Sequence, residues 1–112
     1  MTGLQHSITA PDGVRLHVRE YGNPDGIPLL LIHGWSQSLL CWRHQVEGEL
    51  ARDFRLVCPD LRGHGQSDKP VGDAWYQEPR VWARDVAAVM HALRLDRPVL
   101  VGWSYGSMVS GL

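Results

Sequence analysis

Residues 98–106 read PVLVGWSYG, and this stretch decides the fold. Its first half is a short apolar run, typical of a strand that is buried on both faces. Its second half has the pattern Gly-x-Ser-x-Gly, in which a strand turns sharply into a helix and carries a serine at the turn. Side chains two residues before and after the serine would collide there, so both places require glycine. We therefore expect Ser104 to stand clear of a sheet, followed by a helical segment at 107–112.

Two further apolar runs, at 28–33 and 54–58, predict buried strands of the same kind. Between them, apolar residues spaced four apart predict a helix over about 39–51. A second helix is predicted over about 79–93, with Pro79 in its first turn. Its apolar face consists of Trp82, Val86, Val89, Met90 and Leu93. Strands that alternate with helices indicate a parallel sheet covered by helices.

The start of the chain follows a different pattern. Val14, Leu16 and Val18 alternate with polar residues, which is the period of a half-buried strand. The turn residues at 11–13, Pro-Asp-Gly, make Leu4–Thr9 its antiparallel partner. We predict an α/β fold in which an antiparallel hairpin leads into a parallel sheet flanked by helices and ends just after the turn at Ser104.

Composition restricts the class of protein. The chain has 112 residues, 44% hydrophobic and 21% charged, which suits one globular domain. A net charge of -1, with no basic cluster, argues against nucleic acid as a partner. No apolar run could span a bilayer, and residues 1–10 do not resemble a signal peptide, so we expect no membrane and a cytoplasmic location. Cys41 and Cys58 are too few for a disulfide framework, and we expect both to pack as small apolar groups.

Three motifs, in this order along the chain, resemble those of the α/β-hydrolase fold family. His-Gly-Trp-Ser at 33–36 is similar to the family's His-Gly-x motif, and DLRGHGQS at 60–67 is similar to its Asp-x-Arg-Gly-x-Gly-x-Ser loop. The third is the Gly-x-Ser-x-Gly elbow. The chain looks most like the serine esterases and the cofactor-free haloperoxidase-like perhydrolases, because epoxide hydrolases and haloalkane dehalogenases place aspartate where Ser104 stands. Ser36 departs from the proline that those enzymes commonly carry.

The resemblance implies a role for each motif residue. Ser104 would attack an acyl carbonyl and form an acyl-enzyme. The backbone N–H groups of Trp35 and Tyr105 would stabilise the oxyanion. The supporting residues of the motifs are His33, Gly34, Gly102 and Gly106. This chemistry needs no cofactor, and we expect no cofactor site and no metal site.

Other residues near these motifs have structural interpretations. We expect His64 to be structural, and Asp60, Arg62 and Ser67 to brace their loop by hydrogen bonds. Trp35 and Trp103 either line an acyl pocket or pack as core aromatics.

A serine nucleophile needs a base and an orienting acid, which in this family follow the elbow. Neither follows Ser104 here, and the predicted fold places the remaining histidines away from it: His6, His17, His44 and His91. We therefore expect residues 1–112 to be the N-terminal portion of a single α/β-hydrolase domain, without its C-terminal half and cap, and inactive alone. The strand that leads into the elbow would then be an exposed apolar edge, which favours self-association.

Two functions follow from these expectations. The first is a serine hydrolase of small carboxylic esters or related acyl compounds; esterase, perhydrolase, lactonase, C–C hydrolase and acyltransferase activities stay open. The second is a non-catalytic short protein that binds a ligand or a partner chain.

Overall fold

A computed structural model describes residues 3–78 and 80–111 of the chain. Within them lie five strands in one sheet, in the order β1-β2-β4-β3-β5. The strands are β1 (Leu4–Thr9), β2 (Arg15–Gly22), β3 (Ile27–Ile32), β4 (Phe54–Pro59) and β5 (Val99–Gly102). The pairs β1–β2 and β2–β4 are antiparallel, whereas β3–β4 and β3–β5 are parallel. The predicted architecture, an antiparallel hairpin that leads into a parallel sheet, is confirmed.

Both faces of the central strands are buried, as the continuous apolar runs predict. Successive side chains of a strand point to opposite faces. Accordingly, Leu30 and Ile32 pack with the hairpin and the long helix, while Leu29 and Leu31 pack with the helical turns after β3. The sheet is therefore the middle of three layers.

The helices of the described residues are α1 (Arg43–Val46), α2 (Leu50–Asp53), α3 (Val81–Ala92) and α4 (Tyr105–Gly111), with 3-10 turns at Leu39–Trp42 and Asp73–Trp75. The helix predicted over about 79–93 agrees with α3, except that its expected start, Pro79, lies outside the described residues. Leu112, the end of the helical segment predicted at 107–112, also lies outside them. Within the described part of the chain, no helix is long and apolar enough to cross a membrane.

The prediction of a single continuous helix over about 39–51 is wrong. A 3-10 turn, α1 and α2 occupy this region instead. Gly48 stands between the two short helices, where its extra backbone freedom weakens a continuous helix. At the other end, the Asp60 carboxylate accepts the Leu39 N–H at 2.7 Å and holds the 3-10 turn against the loop after β4. Leu50, the last of the apolar residues spaced four apart (Trp42, Val46 and Leu50), is exposed.

Strand β5 is the outermost strand of the described sheet on its side. It pairs with β3 only, and 51% of Val99 and 37% of Leu100 are exposed. Because these neighbours point to opposite faces, the sheet is uncovered on both faces at this edge.

Candidate active site

Ser104 lies at a sharp turn between β5 and α4. Its φ of 55° is in the left-handed region, which a serine adopts only at an energetic cost. The turn is held by hydrogen bonds from Trp103 N–H to the Ile32 carbonyl and from Gly106 N–H to the Trp103 carbonyl, both 3.0 Å long. Ser104 is exposed. The strained and accessible serine is the geometry that the Gly-x-Ser-x-Gly pattern predicts.

Gly106 is required by a close approach to β3. A Cβ atom at this position would lie 2.1 Å from the carbonyl oxygen of Ile32 and 2.6 Å from that of His33. Such contacts are far shorter than van der Waals distances, so the first turn of α4 can lie this close to β3 only with glycine. Gly102, the other motif glycine, ends β5 and pairs with Ile32.

The loop after β3 (residues 33–38, the β3 loop) lies against the elbow. A Cβ atom at Gly34 would be 3.3 Å from the Cβ of Ser104 and 3.2 Å from the carbonyl oxygen of Trp103. The loop is folded tightly, because Gly34 N–H donates to Gln37 Oε1 at 3.0 Å and Gln37 N–H donates to the Gly34 carbonyl at 3.2 Å. Gly34, the residue before Trp35, is therefore next to the serine.

The two predicted oxyanion donors have backbone N–H groups that the local structure leaves unused. Among the described residues, Trp35 N–H donates to no acceptor. Tyr105 is the first residue of α4, and the first N–H groups of a helix have no partner within it. Both groups can thus donate to a ligand.

His33 is a buried brace between two loops. Leu61 N–H donates to its Nε2 at 3.0 Å, and its Nδ1 lies 2.7 Å from the carbonyl oxygen of Gly34. Burial lowers the pKa of His33 below its ordinary value, so the ring is neutral near pH 7. In the described parts of the chain no hydrogen bond joins the Ser104 hydroxyl to a histidine or a carboxylate.

The loop after β4 (residues 60–72, the β4 loop) is braced as expected by Asp60, Arg62 and Ser67. The Asp60 carboxylate accepts the N–H groups of Leu39 at 2.7 Å and Gln66 at 3.0 Å. Ser67 Oγ donates to the Asp60 carbonyl at 2.6 Å.

The two ion-pair partners of Arg62 were not predicted from the sequence. The buried guanidinium donates twice to Asp85 on α3, at 2.6 and 2.7 Å, and twice to Asp12 in the hairpin turn, at 2.8 and 3.1 Å. Burial opposes the charge of Arg62, but these carboxylates outweigh it and raise the pKa of Arg62. A signal was present, because Asp85 lies on the apolar face of α3 between Trp82 and Val89, where a carboxylate needs a partner.

The interpretation of Trp35 and Trp103 as core aromatics is wrong. Their exposed fractions are 56% and 60%. The Trp35 ring makes edge contacts with His64, Tyr105 and Trp82, at centroid distances of 5.1, 5.3 and 6.0 Å. Trp35 therefore contacts three aromatic rings while more than half of its surface stays exposed.

A cavity of about 420 Å³ opens beside Trp35. Its lining residues are Trp35, Ser36, Arg62, Gly63, His64 and Tyr76. This volume is in the range of small-molecule sites.

Comparison with known proteins identifies the family. The sequence model of the family described as alpha/beta hydrolase fold matches residues 27–112. A non-heme chloroperoxidase from Streptomyces lividans is 35% identical over 100 residues, which are 89% of this chain and 35% of the relative. A soluble epoxide hydrolase from Corynebacterium sp. (strain C12) is 35% identical over 109 residues, which are 97% of this chain and 36% of the relative.

Comparison with solved structures gives the same family. An esterase from Rhodococcus sp. ECU1013 superposes with a TM-score of 0.84 at 45% identity, covering 95% of this chain and 38% of the esterase chain. The chain thus spans about a third of the length of the curated relatives it matches. It belongs to the alpha/beta hydrolase fold family.

Proposed function

We propose that the chain supplies the nucleophile and the oxyanion hole of a serine hydrolase that acts on carboxylic esters or related acyl compounds. The observation that carries the proposal is the conformation of Ser104, exposed at a φ of 55° between β5 and α4. The strain falls on the serine of the Gly-x-Ser-x-Gly pattern, and strained residues concentrate at active sites.

In the proposed reaction, Ser104 Oγ attacks the acyl carbonyl while a base takes its proton. The Trp35 and Tyr105 N–H groups donate to the oxyanion that forms. The base then returns the proton to the leaving alcohol, which leaves an acyl-enzyme. Water attacks this ester by the same steps and frees the acid and Ser104.

The base and its orienting acid come from outside these 112 residues. The two histidines near the elbow are both engaged: His33 Nε2 accepts from Leu61 N–H, and His64 Nε2 accepts from Ser36 N–H. We therefore propose that the chain is the N-terminal portion of a longer hydrolase domain. The relatives, about three times its length, support this proposal.

Among the activities of the relatives, the nucleophile favours ester hydrolysis. The similar proteins include an epoxide hydrolase, a chloroperoxidase and an esterase. Since epoxide hydrolases of this family place aspartate at the elbow, Ser104 is the feature that sets this chain apart from them.

The test is covalent labelling of the full-length protein with a fluorophosphonate, followed by mass spectrometry of the labelled peptide. We expect one label on Ser104, lost in Ser104→Ala and kept in the control Ser110→Ala, whose hydroxyl donates to the Gly106 carbonyl within α4. A label that persists in Ser104→Ala would refute the proposal.

The isolated 112-residue chain provides a second comparison. We expect it to remain unlabelled under conditions that label the full-length protein, since it lacks the base. Labelling of the isolated chain would show that the base lies within it. A natural protein with a mass near 12.6 kDa that takes no label would instead favour the non-catalytic function.

A further inference from the structure

Two histidines join the β3 loop and the β4 loop in opposite directions. His33, from the β3 loop, accepts the N–H of Leu61 at its Nε2. His64, from the β4 loop, accepts the N–H of Ser36 at its Nε2. Each N···N distance is 3.0 Å, and the two ring centroids lie 5.1 Å apart.

The contacts define the protonation of both rings. A nitrogen that accepts a hydrogen bond carries no proton, so the proton of each neutral ring is on Nδ1. From there His33 donates to the Gly34 carbonyl at 2.7 Å, and His64 donates to the Arg62 carbonyl at 3.0 Å. All four ring nitrogens are therefore in use.

These bonds hold the backbone on both sides of Trp35. The Gly34 carbonyl accepts from His33 Nδ1 and from Gln37 N–H. Because N–H and C=O point in opposite directions in a trans peptide, these contacts direct the Trp35 N–H. The following peptide is held at its N–H, which is that of Ser36, by His64.

Ser36 itself needs such a contact. Its φ of 63° is in the left-handed region, which is strained for serine. Proline, which related enzymes commonly carry at this position, cannot adopt this φ and has no N–H. Ser36, unlike proline, can both adopt this φ and donate to His64.

We propose that His64 is a positioning residue for the oxyanion hole: by accepting the Ser36 N–H, it holds the peptide after Trp35 and keeps the Trp35 N–H available to the oxyanion. The inference rests on the proposed function, because it assigns a task to His64 only if Trp35 is an oxyanion donor.

Two substitutions separate the acceptor from the ring. His64→Phe keeps an aromatic ring against Trp35 and His33 but removes the acceptor. His64→Gln removes the ring but keeps an oxygen that can accept the Ser36 N–H. The matched control is His44→Phe, at an exposed histidine of α1.

The measurements are the rate of fluorophosphonate labelling of Ser104, and kcat and KM for p-nitrophenyl acetate, all on the full-length protein. We expect His64→Phe to lower the labelling rate and kcat by about 10- to 100-fold with KM little changed, since a misplaced donor fails mainly in the transition state. His64→Gln should stay within about threefold of the original, as should the control.

A spectroscopic signature tests the contact without activity. In the ¹⁵N-labelled protein, we expect a scalar coupling across the hydrogen bond between Ser36 N and His64 Nε2, absent in His64→Phe. Equal rates for His64→Phe and the original protein, or a His64→Gln variant as slow as His64→Phe, would overturn the inference. If the original protein takes no label, the proposed function fails and the positioning role fails with it. The coupling then shows separately whether the contact between Ser36 and His64 exists.

Discussion

Replacing Gly106 with alanine tests the close approach on which the elbow depends. The new methyl group would lie 2.1 Å from the Ile32 carbonyl oxygen and 2.6 Å from that of His33. Both obstacles are backbone atoms at the end of a central strand, so no side chain can rotate away to relieve the contact. Either α4 must move away from β3, or β3 must shift within the sheet.

The magnitude follows from two opposing effects. Overpacking a well-packed site costs typically about 1–3 kcal/mol, and contacts with backbone belong at the upper end of that range or beyond it. Alanine in place of glycine inside a helix contributes about 1 kcal/mol in the other direction. We therefore expect Gly106→Ala to lower the free energy of unfolding by about 2 kcal/mol or more.

The assay is urea unfolding followed by tryptophan fluorescence, with Gly111→Ala as the matched control. Gly111 ends the same helix, and a Cβ atom there meets nothing within 4 Å. The control should leave stability unchanged or raise it by up to about 1 kcal/mol. A Gly106→Ala variant as stable as the control would refute the steric argument.

Three more predictions follow from buried or exposed groups. Arg62→Met should lower the free energy of unfolding by about 3–5 kcal/mol in urea titrations, because it leaves the buried Asp85 carboxylate unpaired. Arg97→Met at an exposed site should change it by less than about 0.5 kcal/mol. Burial lowers the pKa of His33, so its neutral ring contributes stability that is complete above about pH 6.5 and is lost as the pH falls through the folded pKa. His33→Gln should therefore flatten the fall in the free energy of unfolding from about pH 7 to about pH 5. An unchanged slope would contradict this. Val99→Lys on the edge strand should reduce self-association of the 112-residue chain in sedimentation experiments, while Val71→Lys, more exposed but off the sheet, should not.

The features that the sequence predicted well are local. Alternation at Val14, Leu16 and Val18 indicates the hairpin, and continuous apolar runs indicate the central strands. The elbow is also local, because its glycines and serine lie within five consecutive residues.

The features that it predicted poorly depend on residues far apart in the chain. The region 39–51 has helical spacing, yet the Asp60 carboxylate holds its start in a 3-10 turn. Trp35 has the hydrophobicity of a core residue, but its surroundings come from the β4 loop, α3 and α4. The ion pairs of Arg62 join it to the hairpin turn and to α3, so no window of sequence contains them.

The predicted nucleophile and the predicted oxyanion donors come together for the same reason that glycine is required in the elbow. Strands β3 and β5 are adjacent and parallel, so their carboxyl ends, Ile32 and Gly102, lie side by side. The β3 loop and the first turn of α4 both begin there and lie in close contact. Gly106 lets α4 approach the Ile32 and His33 carbonyls, and Gly34 lets the loop approach Ser104. A side chain at either glycine would push the β3 loop and α4 apart, and each of them carries one of the N–H groups that we propose as oxyanion donors.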